Sequence, residues 1–158
     1  MRVVVWLTVA SLLPGFCLAD CGTNAAAAAQ RFWEAHSRFF ERDDPSLSDA
    51  ITRRFYAALK RGWACVAKNP TCLEYAPWPN PADVRTTVRP AFYVSVKHPD
   101  HVLVSMKYAL PTSDGRPGSE EVVILTLTQL PNRKCWLVDD VVTPEHGSIR
   151  GRFHRPDS

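Results

Sequence analysis

The sequence lacks the short motifs that mark the common catalytic sites. It has no Gly-x-Ser-x-Gly turn for a serine nucleophile, no His-Glu-x-x-His zinc motif and no Cys-x-x-Cys pair. Its Gly-x-x-Gly stretch, Gly115–Gly118, contains Pro117 and leads into a predicted strand, whereas a phosphate-binding loop leads into a helix. We therefore predict a protein that is not an enzyme, with no catalytic residue, no metal ligand and no cofactor.

Charge of one sign is not in large excess either. The chain has 19 Lys and Arg against 16 Asp and Glu, and the basic residues are scattered, so nucleic acid is not an expected partner. The exception is the C-terminal segment 148–155, which contains Arg150, Arg152 and Arg155. We interpret this segment as a short, flexible, solvated tail, and the alternative is a weak patch for an acidic partner or an anionic membrane surface.

Long apolar runs are missing except at the N-terminus. There, Arg2 precedes the apolar segment Val3–Leu13, and a helix-breaking pair and small residues follow before Asp20, which is the layout of a secretory signal peptide. The run is shorter than the roughly 20 residues that span a bilayer, so no stable membrane anchor is expected. We predict a signal peptide over residues 1–19, a single domain over residues 20–158, and a periplasmic or secreted location.

Cysteine is scarce, and its count fits an oxidising compartment. The chain has five cysteines, and removal of the signal peptide takes Cys17 and leaves four, which predicts two disulfides. Three pairings are possible from the sequence. We favour Cys65–Cys72, which closes a short loop at a predicted helix end, together with Cys21–Cys135. A zinc site is the alternative, but the spacing does not suit it.

The apolar periodicity changes from helical to strand-like along the chain. Steps of three and four residues predict one helix over 24–41 and a second that begins at Ser48 and ends near 68. Alternation of apolar and polar residues then predicts four strands, over 92–97, 102–110, 122–130 and 135–142. The predicted fold is α+β, with two N-terminal helices packed on a curved four-stranded antiparallel meander. The other sheet face should be partly wet, because it carries Tyr93, Lys97, Ser105 and Lys107.

The loops supply the candidate binding residues. The Pro-rich loop 70–83 contains two large aromatic residues, which either pack back onto the core or face a partner. The turn 98–101 contains two histidines around an aspartate, and an ordinary hairpin turn is a better interpretation than a metal site, which needs three converging ligands. With the hairpin loop 111–119, these segments give seven candidate partner-binding residues: Tyr75, Trp78, His98, Asp100, His101, Asp114 and Arg116.

Asp139 and Asp140 are adjacent carboxylates in the last predicted strand. Neighbouring residues of a strand point to opposite faces, so the two are not expected to act as an acid–base couple on one substrate. Either alone could occupy a pocket with a raised pKa. The favoured interpretation is structural: one carboxylate is exposed, and the other accepts hydrogen bonds from the backbone or from a nearby Arg.

Three segments carry a resemblance to a known family. They are Arg31–Trp33, Leu47–Asp49 and Cys135–Val142, the last with a tryptophan–aliphatic–Asp-Asp–aliphatic pattern. Over residues 24–150 the chain resembles a family of exported bacterial proteins of unknown function with a nuclear-transport-factor/cystatin-like fold, which includes immunity proteins of type VI secretion amidase effectors. The resemblance implies a cone-shaped fold and a periplasmic, non-enzymatic protein. The predicted disulfides and the Pro-rich loop depart from the family, and no functional residue carries over.

Three functions are compatible with these observations. The one we predict is a binding or inhibitory module with a protein partner in the cell envelope. Its sharpest form is an immunity protein that inserts a loop into the cleft of a cell-wall amidase. The second is an isomerase-like protein with a small-molecule pocket beside Asp140. The third is an envelope structural protein that forms a homodimer through its sheet face.

Overall fold

The structure is an α+β fold with a sheet of five antiparallel strands. The computed structural model describes residues 24–73, 77–78, 89–112, 116–130 and 135–153. The described α-helices are α1, Ala25–His36; α2, Arg53–Val66; and α3, Ile149–Arg152. The strands are β1, Ala91–Lys97; β2, Val102–Pro111; β3, Pro117–Gln129; β4, Trp136–Thr143; and β5, Gly147–Ser148, and they lie in the sheet in that order. The predicted four-stranded meander is confirmed as β1 to β4, and β5 is an addition.

Helix α1 begins where the sequence predicts, whereas α2 begins later. Asn24 caps α1, and its side-chain oxygen accepts a hydrogen bond from a backbone N–H of the first turn. The predicted start of the second helix at Ser48 is wrong, because Ser48 lies in a short 3-10 helix and Thr52 caps α2 instead. The reason is tertiary: Thr52 N donates to Val138 O (2.9 Å), so this backbone pairs with the sheet.

The core lies between the helices and one face of the sheet. Side chains alternate between the two faces along a strand, so the paired residues Val94, Val104, Leu125 and Val141 belong to one row on the inner face. The last three are fully buried, and they join Phe32 of α1 and several residues of α2 in a single hydrophobic cluster. The described helices therefore cover the inner face, and none of them lies on the outer face of the sheet.

Trp78 belongs to this core and not to a binding loop. Its side chain is 2 % exposed, and its indole ring contacts the rings of Phe32 and Phe39, with centroids 6.1 Å and 5.4 Å away. Its Nε1 donates to Ser37 O (2.9 Å), so the buried polar atom is satisfied. The assignment of Trp78 to a partner-binding surface is wrong, because burial of this large ring outweighs its position in a Pro-rich segment.

The C-terminal segment is part of the fold as far as Phe153. β5 pairs with β4, and α3 follows it directly. Ile149 is 2 % exposed and joins the core, and Arg61 Nε of α2 donates to Phe153 O (2.6 Å). The predicted flexible tail is therefore wrong for residues 148–153, because buried apolar surface and a side-chain hydrogen bond hold them; the rest of the segment lies outside the described residues.

The disulfide between Cys65 and Cys72 is confirmed. Their Cα atoms are 5.9 Å apart, and the bond ties the end of α2 to the following 3-10 helix, Pro70–Leu73. Cys135 is buried and is not a free thiol. Its expected partner, Cys21, lies outside the described residues, as does the expected signal peptide. The second pairing and the cone shape therefore stay predictions.

Candidate functional site

The turn between β1 and β2 presents three of the predicted binding residues: His98, Asp100 and His101. His98 N donates to His101 O (2.9 Å), which closes a hairpin turn as predicted. The two imidazole rings stack with centroids 4.7 Å apart, and Asp100 Oδ2 lies 3.8 Å from His98 Nδ1. Within the described residues there is no group of three or more His, Cys, Asp or Glu side chains that could hold a metal ion.

The other predicted binding residues do not join this turn in one surface. Arg116 is exposed where the chain enters β3, at the opposite end of the β2–β3 hairpin. β2 is 10 residues long, and at about 3.3 Å per residue the two ends lie roughly 30 Å apart. Trp78 is in the core, and Tyr75 and Asp114 lie outside the described residues. Among the described residues, the turn 98–101, Arg116 and Trp78 therefore lie in three separate places.

Asp139 and Asp140 are both buried, at 0 % and 5 % exposure, so the expectation that one of them is exposed is wrong. The cause is a β-bulge. Asp140 pairs with Thr126 and Val138 pairs with Leu127, which leaves Asp139 as an extra residue in β4. The bulge interrupts the simple alternation of faces, and each carboxylate meets a different neighbouring element.

Asp139 accepts hydrogen bonds from the first turn of α2 and from α3. Thr52 Oγ1 donates to its Oδ1 (2.6 Å), Arg54 donates to both oxygens, and Arg150 donates to Oδ2. Burial pushes the pKa of Asp139 upwards, but the hydrogen bonds from Arg54 and Thr52 and the charge of Arg150 outweigh it, so the pKa lies below its ordinary value. The predicted hydrogen bonds from a neighbouring Arg are therefore confirmed for this carboxylate.

Asp140 accepts hydrogen bonds from its own strand and from the α3 segment. Its Oδ1 accepts from Val141 N (2.8 Å) and Arg150 N (2.9 Å), and Ser148 Oγ donates to Oδ2. Burial raises the pKa of Asp140 above its ordinary value, and these hydrogen bonds oppose that rise only in part. The two neighbouring carboxylates thus have pKa values shifted in opposite directions.

The cluster around the two carboxylates works as a structural clamp. We define the clamp by the side chains that meet there: Thr52, Arg54, Asp139, Asp140, Ser148 and Arg150. A general base needs a lone pair that faces a substrate. Asp140 has the raised pKa of such a base, but both of its oxygens face protein donors and it is almost fully buried. The geometry gives no support to the isomerase-like alternative.

The outer face of the sheet is the larger feature that sequence reasoning described only in part. Tyr93 is 39 % and Val96 is 49 % exposed, and most of their neighbours on this face are half-buried and lie outside the core cluster. The expected wet character is limited, because Ser105 is buried between its neighbours at 5 % exposure. We define the outer sheet face by seven apolar side chains: Tyr93, Val96, Leu103, Val122, Ile124, Leu137 and Val142.

Comparisons of the chain with protein-family models, with curated proteins and with solved structures found no match. The resemblance to exported immunity proteins is therefore still a prediction from the sequence. None of the helices in the described part of the chain has the length and apolar character that a membrane crossing needs.

Proposed function

We propose that the protein is an exported, non-enzymatic module that binds a protein partner in the cell envelope. The observation that carries the proposal is the outer sheet face, an apolar surface on the side of the sheet opposite the helices. Contiguous apolar surface that a monomer leaves uncovered is typical of contact sites for other proteins. Export is the prediction from the N-terminal sequence.

The outer sheet face has the composition of a small protein interface. Its centre is built from aliphatic side chains, and Tyr93 adds an aromatic ring with a polar tip at the β1 edge. Lys107 lies beside this ring, with Nζ 5.6 Å from the ring centroid, and it also pairs with Glu120. An apolar centre with charged groups at its border favours a specific contact over indiscriminate association.

The most specific form of the proposal is an immunity protein that inhibits a cell-wall amidase effector. This form depends on the family resemblance. The turn His98–His101 follows directly from β1, the strand that holds the most exposed side chains of the outer sheet face. A partner seated on that face would meet the turn, which is held in shape before binding by the hydrogen bond that closes it.

Affinity capture from the envelope extract of the source organism tests the proposal. The bait is the protein expressed from the full sequence and purified in oxidised form, beside a Val96→Lys/Ile124→Lys variant. A Gln30→Lys/Ala35→Lys variant adds the same charge at exposed positions of α1 and serves as the control. We expect one stoichiometric protein partner with the wild type and the control, and its loss with the face variant. If the Val96→Lys/Ile124→Lys variant captures the partner as well as the wild type does, the outer sheet face is not the binding surface.

The same face favours a second candidate function, an envelope structural protein that dimerises through its sheet. Sedimentation velocity at tens of micromolar separates the two. A dimer that the Val96→Lys/Ile124→Lys variant converts to a monomer supports the second candidate. A wild-type monomer contradicts it and leaves the outer sheet face for a different partner.

A further inference from the structure

The exposed side of α2 and of the two residues that follow it carries cations and no acidic residue. From Arg53 to Lys68 the sequence contains five Lys or Arg residues and no Asp or Glu. All five of these side chains are exposed, and the small residues Ala57 and Ala64 are exposed between them. The opposite side of α2 is buried in the core through Phe55 and its neighbours. The helix therefore presents an outward surface of one charge sign.

Helix α3 extends this surface from a distant part of the sequence. The hydrogen bond from Arg61 to Phe153 O joins residues 92 positions apart. The ring of Phe153 packs on Gly62, where a Cβ atom would lie only 2.8 Å from ring atom Cε2. These contacts hold α3 against α2, so the cations of the two helices lie next to each other. We define the basic face by seven residues: Arg53, Arg54, Lys60, Arg61, Lys68, Arg150 and Arg152.

In the described part of the chain, the cations of the basic face outnumber the carboxylates buried among them. Those carboxylates are Asp139 and Asp140 of the clamp, which lie beneath Arg54 and Arg150. Asp43, which accepts a hydrogen bond from Tyr56 Oη (2.8 Å), lies at the flank of α2.

We propose that the basic face binds an acidic surface of a protein partner. Most of its cations are Arg, whose planar guanidinium forms two parallel hydrogen bonds to a carboxylate. Docking into a lipid surface uses large apolar side chains as well as cations. The large hydrophobics that are exposed among the described residues are Tyr93, Val96 and Leu130, and all of them lie outside α2 and α3.

The basic face and the outer sheet face are separate surfaces. α2 packs on the inner side of the sheet, so its exposed side points away from the outer sheet face. The inference rests on the proposed function in taking a protein as the partner, but it assigns a different set of residues. An electrostatic surface of this kind raises the association rate with an oppositely charged partner and makes binding sensitive to salt.

A charge-reversal experiment tests the inference with a defined acidic probe. The probe is a fluorescently labelled deca-glutamate peptide, and its binding to the protein expressed from the full sequence is followed by fluorescence anisotropy at low and high salt. The test variant is Arg53→Glu/Lys60→Glu/Lys68→Glu, which spares the two Arg residues of the clamp and Arg61. The matched control reverses the same number of charges at three exposed cations outside the basic face: Arg31, Arg89 and Lys97.

We expect salt-sensitive binding by the wild type, a loss of about ten-fold or more in the test variant, and a loss of no more than about three-fold in the control. Equal losses in the two triple variants would overturn the inference, because net charge alone would then explain binding. No binding by the wild type at low salt would overturn it too. Circular dichroism melting of each variant verifies that it is folded.

Two further measurements distinguish protein from lipid as the partner and the basic face from the outer sheet face. Cosedimentation with phosphatidylglycerol vesicles that is lost in the test variant, without peptide binding, would assign the basic face to anionic lipid and overturn the protein assignment. The Val96→Lys/Ile124→Lys variant should bind the peptide as the wild type does. Failure of the basic-face inference is thereby distinguishable from failure of the proposed function, since the two are tested by different residues.

Discussion

Asp139 and Asp140 should respond differently when each loses its charge. In Asp139→Asn, an amide oxygen at the Oδ1 position keeps Thr52 Oγ1 and Arg54 Nε, but the amide NH2 at the Oδ2 position meets N–H donors of Arg54 and Arg150. Two charge-assisted hydrogen bonds are lost, and donors then face donors. We therefore expect Asp139→Asn to destabilise the fold.

The geometry of Asp140 predicts a much smaller effect. In Asp140→Asn, the amide oxygen keeps the N–H groups of Val141 and Arg150, and the NH2 group can donate to Ser148 Oγ. Burial already disfavours the charge of Asp140, as its raised pKa indicates, so removal of that charge also relieves a cost.

The expected magnitudes differ by more than the usual error of an unfolding measurement. A hydrogen bond to a charged group contributes about 1.5–3 kcal/mol. The side chains of Arg54 and Arg150 are 63 % and 30 % exposed. Solvent screening therefore lowers the combined contribution of the two lost hydrogen bonds to about 2 kcal/mol. For Asp140→Asn we expect a change within about 0.5 kcal/mol.

Urea unfolding at pH 7 and at lower pH measures both variants. The lowered pKa of Asp139 stabilises the fold at pH values above its ordinary value of 3.8, and the fold loses this contribution as the pH falls through the folded-state pKa. The difference in unfolding free energy between the wild type and Asp139→Asn should therefore disappear in acid. For Asp140, whose pKa is raised, the stability of the wild type relative to Asp140→Asn should increase as the pH falls through the folded-state pKa towards 3.8. An Asp140→Asn variant that is destabilised as much as Asp139→Asn refutes the reasoning.

Three further changes probe other parts of the fold. Gly62→Ala should destabilise by about 1–2 kcal/mol, since its Cβ meets the ring of Phe153; in a Phe153→Ala background the same change should stabilise, because Ala favours the helix, and an unchanged sign would contradict this packing. Trp78→Ala should cost about 4 kcal/mol in urea unfolding, and a cost under about 1 kcal/mol would mean that the ring is not in the core. Burial lowers the pKa of His36 despite the opposing charge of Asp44, so stability should fall as the pH drops below 6.5, and His36→Gln should flatten that slope; equal slopes would contradict the burial.

The helices and the four long strands were predictable because their causes are local. Apolar residues at steps of three and four predicted α1 and α2, and a period of two predicted β1 to β4. The disulfide Cys65–Cys72 was predictable for the same reason, since a separation of seven residues at a helix end brings the two sulfur atoms within reach. The boundaries of the elements were less predictable. Helix α2 begins later than predicted, because the backbone N–H of Thr52 donates a hydrogen bond to Val138 O of the distant strand β4.

The candidate sites depend on contacts that no short segment contains. The candidate residues in the turn 98–101 lie on a hairpin turn as predicted, because the turn is closed by its own backbone. Trp78 was misassigned, because a Pro-rich segment does not reveal that its tryptophan packs against the rings of Phe32 and Phe39. The burial of the Asp139–Asp140 pair was missed, because it requires a bulge that only the pairing with β3 creates.

The sequence by itself determined the fold class and favoured the short disulfide, because both depend on residues close together along the chain. The route of export stays a prediction from the N-terminal residues. The tertiary structure alone decided which surfaces the molecule offers. The basic face exists because Phe153 packs on Gly62 and brings the cations of α3 to those of α2. The outer sheet face exists because both long helices pack on the same side of the sheet. The cations of α2 are visible in the sequence of that one segment, but their position beside the cations of α3 arises from long-range packing.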